Sequence, residues 1–172
     1  MTRGNDVHSI VVMGVSGSGK TTVGRALSKN INCVFLDADA LHTSSNIEKM
    51  SSGHALEDKD RWPWLRSVGE HIKAFEEDRL SSVTACSSLK RSYRDVLRGY
   101  VPDLFFVFLD GPRGIIAARV KERPNSLLPP SLLASQFDDL EPLEADEVGL
   151  RVDTDKDPNE IVNLVERYLA AT

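Results

Sequence analysis

The sequence predicts a three-layer α/β fold, a parallel sheet flanked by helices on both faces. Three observations carry that prediction. Short β-branched or aromatic runs alternate with segments of helical period. The runs are apolar on both parities, as parallel strands covered on two sides should be. The first run also leads straight into a glycine-rich loop followed by a helical pattern.

Strands are expected at 9–13, 33–36, 82–86, 104–109 and 150–152. Val23, Ala26 and Leu27 form the first helical stripe, and Leu65, Val68, Ile72 and Phe75 the second. Leu89, Tyr93, Val96 and Leu97 make a third, and Ile115, Ile116 and Val120 a fourth. The last helix has a clear start, with Asp157 as N-cap, Pro158 at the first position and Glu160 placed for a capping box. Residues 123–130 hold Pro124, Pro129 and Pro130 and show no strand pattern; they read as a mobile loop between short helices at 112–122 and 131–140.

At 172 residues the chain has the length of one domain, 1–172. Hydrophobic residues make up 41% and charged residues 27%, an ordinary globular balance. The formal net charge of −5 argues against nucleic acid and anionic membrane as partners. The longest apolar stretches, 10–13 and 104–109, fall far short of the ~20 residues of a spanning helix. Residues 1–8 are short and mixed in charge, unlike a signal peptide. Cys33 and Cys86 lack metal or redox spacing and are expected as buried free thiols in a reducing cytoplasm.

Gly14-Val15-Ser16-Gly17-Ser18-Gly19-Lys20-Thr21 matches G-x-x-x-x-G-K-[ST], with Thr22 next in the helix. Glycines let the backbone curl so that successive N–H groups point at phosphate oxygens, and the helix N-terminus adds favourable partial charge. Lys20 would reach the β- and γ-phosphates of a bound nucleotide, and the Thr21 hydroxyl is a hard ligand for Mg²⁺. No asparagine precedes a lysine, so a guanine-reading motif is missing. Asp110 ends an apolar strand, but Gly111-Pro112 follows it, which leaves no adjacent glutamate to activate water. It reads by default as a strand-end or cap residue. These features favour transfer to a small acceptor over hydrolysis.

The second strand runs into Asp37-Ala38-Asp39. Strand alternation puts both carboxylates on one face, at the edge of the sheet where ligands bind. Asp39 is the candidate that orients and deprotonates the acceptor hydroxyl, with Asp37 in the Mg²⁺ water shell. The competing reading is a pair of turn or cap carboxylates.

Asp37-Ala38-Asp39-Ala40-Leu41-His42, Asn46-Ile47-Glu48-Lys49-Met50, Gly53 and the run from Asp58 to Leu65 closely resemble the small P-loop gluconokinases. So do the runs at 85–98 and 135–142, in order over roughly 10–168. The resemblance implies a nucleoside-monophosphate-kinase-like P-loop fold with a closing lid, at about 119–140, and commonly a homodimer. It implies ATP-dependent phosphorylation of D-gluconate on its 6-hydroxyl. The readings left beside it are a relative acting on shikimate or a nucleoside, and a nucleotide-binding regulatory module.

A small polyol acid needs a cation at one end and hydrogen-bonding groups along its hydroxyls. Lys90, Arg91, Arg94 and Arg98 form a basic helical face suited to an anionic substrate, although such faces are usually solvated and Asp95 is close. Arg61, between Asp60 and the Trp62/Trp64 pair, is a second candidate for the carboxylate or a phosphate. His42 reads either as a partner of a sugar hydroxyl or as a satisfied structural imidazole, and Trp64 as packing. Asn46, Lys49 and Gln136 are further pocket candidates on the resemblance, with an exposed helix face as the other reading of Lys49. Arg119 and Arg123, at the end of the helix entering the proline-rich loop, correspond to lid arginines that fold over the transferring phosphoryl group. The chain departs from the family at 124–128, where Pro-Asn-Ser-Leu-Leu replaces a Lys-Gly-His-Phe-Met-like run, and at Ala55, where proline is common. Residues 153–157 resemble the segment that borders the adenine in such kinases.

Overall fold

The computed structural model describes residues 6–123 and 129–172. The departure at 124–128 therefore lies outside the described residues. Strands β1 (Ser9–Met13), β2 (Val34–Asp37), β3 (Ser82–Ala85), β4 (Phe105–Asp110) and β5 (Gly149–Asp153) form one sheet in the order β2-β3-β1-β4-β5. Every pairing in it is parallel. Helices α1 (Lys20–Asn30), α2 (Ser44–Ser51), α3 (Asp58–Glu77), α4 (Arg91–Tyr100), α5 (Arg113–Lys121), α6 (Leu133–Asp139) and α7 (Pro158–Ala171) connect or cover them.

The three layers follow from side-chain alternation along the central strands. Ile10 and Val12 of β1, with Phe105, Val107 and Leu109 of β4, pack against Val23 and Leu27 of α1 and Ile161 and Val165 of α7. Val11, Met13, Phe106 and Phe108 point the other way, onto Leu65, Val68 and Ile72 of α3, Tyr93 and Leu97 of α4, and Ile116 and Val120 of α5. Full burial of each such aliphatic or aromatic side chain contributes roughly 1.5–3 kcal/mol, so the sheet centre is where the fold is anchored.

The outer strands differ from expectation. β2 is only half-buried along its length, and in β5 Val152 alone is buried. Both are edges, and an edge strand loses cover on its free side whatever its composition. The predicted helix over 112–122 begins at Arg113, after Pro112, and the predicted 131–140 segment is a 3₁₀ turn, Pro130–Leu132, continuing into α6. Pro63 lies inside α3; the carbonyl it leaves unpaired is that of exposed Lys59, where water can take over. Asp157 caps α7 by accepting the Asn159 N–H at 2.8 Å. Among the described residues Glu160 returns no bond, so the full capping box is not formed. Cys33 is half-buried and Cys86 buried, both as free thiols. None of the described helices is long and apolar enough to cross a membrane.

The strand order reverses at β1, whose neighbours β3 and β4 come later in the chain. In an open parallel sheet such a reversal opens a crevice at the carboxyl ends of the strands.

Candidate active site

The loop that leaves β1 is forced into shape by its glycines. Gly14 has φ +148° and Gly17 φ +83°, both unfavourable for residues with a Cβ. A Cβ on Gly17 would also lie 2.5 Å from Val120 Cγ2, and one on Gly14 would lie 2.6 Å from Ser18 Oγ. The Gly14 N–H donates to Ser87 O at 3.2 Å, tying the loop to the end of β3. Gly19 N-caps α1 with φ +97°, which aims the free N–H groups of the first helical turn at the crevice.

Beside this loop lies a cavity of about 430 Å³. Its walls include Ser16, Lys20 and Thr21 from the loop, Asp37 and Asp39 from the end of β2, His42, Arg61, Trp64, Arg123 and Gln136. A second cavity of about 220 Å³ on the far side of the loop is lined by Ser18, Thr22, Arg119, Arg123, Thr154 and Lys156 among others. The phosphate loop thus separates two hollows, as a site for two ligands requires.

Lys20 curls across the loop and donates to Val15 O at 2.9 Å. Burial lowers its pKa, while the charge of Asp39 opposes that shift. The two aspartates reach the cavity by a different route from strand alternation. β2 stops at Asp37, and Ala38–Leu41 is a 3₁₀ turn whose Asp39 N–H donates to Asp37 Oδ1 at 3.0 Å. Asp37 is therefore a cap carboxylate and also a cavity residue, and Asp39 is an exposed one.

His42 stacks on Trp64, with ring centroids 4.2 Å apart and planes 13° from parallel. Trp64 Nε1–H donates to Ala38 O at 2.7 Å, so the indole is both packing and cavity wall. Burial, reinforced by the charge of Arg61, pushes the His42 pKa down to about 4. Arg61 is nearly buried; its Nη1 donates to Tyr93 Oη at 2.7 Å and to Asp139 Oδ2 at 2.9 Å. Gln136, three residues before Asp139 on α6, accepts the Ser16 N–H through Oε1 at 2.6 Å. Helix α6 thereby touches both the phosphate loop and the cavity's Arg61.

Several predicted pocket residues lie elsewhere. Arg94 is wholly buried and forms a two-pronged pair with Glu147, Nε to Oε1 at 2.6 Å and Nη2 to Oε2 at 2.9 Å. Its Nη1 donates to the carbonyls of Ser88, Leu89 and Glu141. Arg98 adds a third bond to Glu147, and Arg91 pairs with Asp146 and Glu144 on the surface. Lys90 is held by Asp58 at 3.0 Å, and Lys49 by Asp60 at 2.7 Å. Asn46 is buried beneath the cavity wall, with Nδ2 donating to Asp60 O at 2.9 Å. None of these six side chains lines the cavity. The basic face of α4 is a clamp for residues 141–147, and its opposite charges came from a stretch some fifty residues away. Asp110 sits at the strand end as read, paired with Arg151 at 2.7 Å.

Arg119 faces the smaller cavity, where its Nη2 donates to Thr154 O at 3.0 Å; Arg123 borders both hollows. Sequence reasoning missed Ser87, Met50, Leu56 and Ser135 as cavity walls. The position of Ser87 just beyond β3 was a usable signal, because ligands gather at carboxyl ends of parallel strands. Met50 stands in the run that carries the family resemblance, and Leu56 has no such signal.

Known proteins align closely with this chain. The family described as shikimate kinase matches residues 16–165. A gluconokinase of Arabidopsis thaliana is 40% identical over an alignment 185 positions long, gaps included, covering 99% of this chain and 97% of the relative. A crystal structure of a sugar kinase from Janibacter sp. HTCC2649 superposes with a TM-score of 0.91 at 42% identity, covering 96% of this chain and 95% of that one. The crystal structure of a gluconokinase from Sinorhizobium meliloti 1021 gives 0.85 at 44% identity, covering 95% and 92%.

Proposed function

The chain belongs to the gluconokinase family of P-loop kinases, inside the wider family described as shikimate kinase, and from that premise we propose that it phosphorylates D-gluconate on its 6-hydroxyl. ATP supplies the phosphoryl group, and the products are 6-phospho-D-gluconate and ADP. The observation that carries this reading is one cavity in which Lys20, Asp39 and Arg61 meet beside the phosphate loop.

The loop suits a triphosphate tail. Its glycines adopt backbone angles and close approaches that exclude side chains, and the buried Ser18 hydroxyl has no partner among the described residues. Gly14 to Thr22 would cradle the phosphates by backbone N–H groups, with Lys20 and Arg123 balancing their charge. We assign the smaller hollow, lined by Arg119, Thr154 and Lys156, to the nucleoside side, in keeping with the expected adenine border at 153–157. Arg119, expected over the transferring phosphoryl group, lines this hollow and not the main cavity, which leaves that role to Arg123.

A kinase of this fold uses a divalent metal, and Mg²⁺ fits the donors present. Thr21 offers a hydroxyl and Asp37 a carboxylate, the hard oxygens Mg²⁺ prefers. Among the described residues no group of three or more His, Cys, Asp or Glu is gathered for a metal, which suits an ion that keeps water and phosphate in its shell. Bound there, Mg²⁺ would offset charge on the transferring phosphoryl group.

Gluconate would lie with its carboxylate toward Arg61 and its 6-hydroxyl toward Asp39. As that oxygen bonds to the γ-phosphorus, Asp39 accepts its proton and the bond to the ADP oxygen breaks. His42 and Gln136 contact the hydroxyls from the wall. Asn46, Lys49, Lys90, Arg91 and Arg94 are assigned to the framework, because their polar atoms are engaged away from the cavity. A lid over 119–140, a homodimer and a cytoplasmic location, all carried by the family likeness and the reading of the sequence, complete the proposal. Sedimentation at micromolar concentration tests the dimer.

The deciding experiment is ADP release with a panel of acceptors, with the product identified by ³¹P NMR. Gluconate turnover with phosphate on C6 is expected. Strong turnover of shikimate or a nucleoside with none of gluconate would replace the substrate, and ATP binding without transfer to any acceptor would leave a regulatory module.

A further inference from the structure

Asn46 is buried and its amide has only one chemically sensible orientation. The atom next to Asp60 O, at 2.9 Å, must be the nitrogen, since a carbonyl only accepts. The same Nδ2 lies 3.4 Å from His42 Nδ1, within hydrogen-bond reach, and an amide nitrogen has only a hydrogen to offer that ring nitrogen. A nitrogen that receives an N–H must present a lone pair. Nδ1 is then unprotonated, and a neutral ring carries its proton on Nε2.

Other contacts hold the ring in place. One face lies against Trp64, itself pinned by the bond from Nε1 to Ala38 O. Arg61 borders the same cavity and its positive charge disfavours a second positive charge on the imidazole. His42 borders the cavity whereas Asn46 does not, and among the described residues Nε2 has no partner.

We propose that Asn46 sets the tautomer of His42, so that the ring offers the acceptor an Nε2–H donor and no base. This rests on the reading of the cavity as the acceptor site for a polyol acid. Nε2–H would donate to a hydroxyl or carboxylate oxygen of the acceptor, and proton removal would fall to Asp39. Asn46 is a positioning residue here: it touches His42, and His42 touches the acceptor. A site built around a fixed donor discriminates against an analogue lacking the matching oxygen, because the donor would be left unpaired.

The test is ¹⁵N NMR of the ring nitrogens in the full-length protein at pH 7, with His42 identified by its loss in His42→Gln. The expected pattern is a pyridine-type Nδ1 and a protonated Nε2, and gluconate should move Nε2 while leaving Nδ1 in place. In Asn46→Ala the ring should become a tautomer mixture. The gluconate KM should then rise about tenfold, the scale of one hydrogen bond, and by more than kcat falls. A protonated Nδ1 in the unaltered protein, an imidazolium at pH 7, or an unchanged tautomer in folded Asn46→Ala would each overturn the proposal. Should Asn46→Ala fail to fold, the nitrogen pattern of the unaltered protein decides alone. An Nε2–H ring in a protein that does not turn over gluconate would support the tautomer and discard the substrate, so the two failures are separable.

Discussion

Arg61 and Asp139 form an ion pair of 2.9 Å that joins α3 to α6 at the edge of the main cavity. The pair is three-cornered, since the same Nη1 also donates to Tyr93 Oη, which in turn donates to Asp58 Oδ1. Among the described residues Nε and Nη2 of Arg61 have no protein partner, which leaves one edge of the guanidinium free for a ligand. Asp139 holds the planar group so that this edge does not have to be ordered on binding.

Arg61→Ala should therefore raise the gluconate KM about 10- to 100-fold, the scale of a hydrogen bond to a charged group, with the ATP KM changed less than about twofold. Asp139→Asn should move the same parameter by less. A double-mutant cycle in steady-state kinetics measures the coupling; fully additive effects would show that the pair does not act as a unit.

Asp39→Asn should lower kcat by about 10²- to 10⁴-fold, the usual contribution of a positioned general base. A fall of less than about tenfold would remove Asp39 from that role. Lys20→Ala should lower kcat by about 10²- to 10³-fold and weaken ATP binding as well, because its charge acts in both bound and transition states. Calorimetric ATP titration beside initial rates separates the two variants.

Glu147 lies buried against Arg94. Burial alone would raise its pKa, but the bonds from Arg94, from the Glu144 N–H and from Arg98 outweigh it and hold the carboxyl at about 2. A carboxyl whose pKa is depressed in the folded state takes up fewer protons than in the unfolded chain. Its stabilisation is complete above the unfolded value near 4.5 and is lost as pH falls toward about 2. Glu147→Gln should cost about 3–5 kcal/mol at pH 7, because Arg94 stays buried with its charge uncompensated. Urea unfolding at pH 7 and pH 3 checks both statements, and the difference between variant and parent should shrink at the lower pH.

Gly17→Ala should destabilise the protein and weaken ATP binding together. The left-handed backbone at this position costs an L-residue about 1–2 kcal/mol, and the new methyl would meet Val120 at 2.5 Å. Thermal unfolding with and without ATP measures both effects; unchanged nucleotide affinity would show that the loop can take another shape.

His42, at about 4, is expected to remain neutral through the range in which free histidine titrates. Its folded pKa lies below the unfolded one near 6.5, so folding stability should decline as pH falls from about 6.5 to 4. Replacing His42 by Gln should flatten that part of the stability curve, as read by thermal unfolding across this pH interval.

The sequence alone determined the strands, the phosphate loop and the cap at Asp157, because each depends on neighbours close in the chain: side-chain alternation, glycine backbone freedom, an acidic side chain beside the first helical N–H groups. It also named Lys20, Asp39 and Arg61, which the fold gathers around one cavity. Tertiary structure decided which other charges face that cavity. Lys90, Arg91 and Arg94 look alike in sequence, yet Asp58, Asp146 and Glu147 neutralise them from distant parts of the chain. Asn46 likewise reads as a ligand contact in the sequence, yet its amide lies between Asp60 O and His42. A charge or amide can serve a substrate only when the fold leaves it unpaired, and pairing over tens of residues is set by how helices pack on the sheet, which local pattern does not encode.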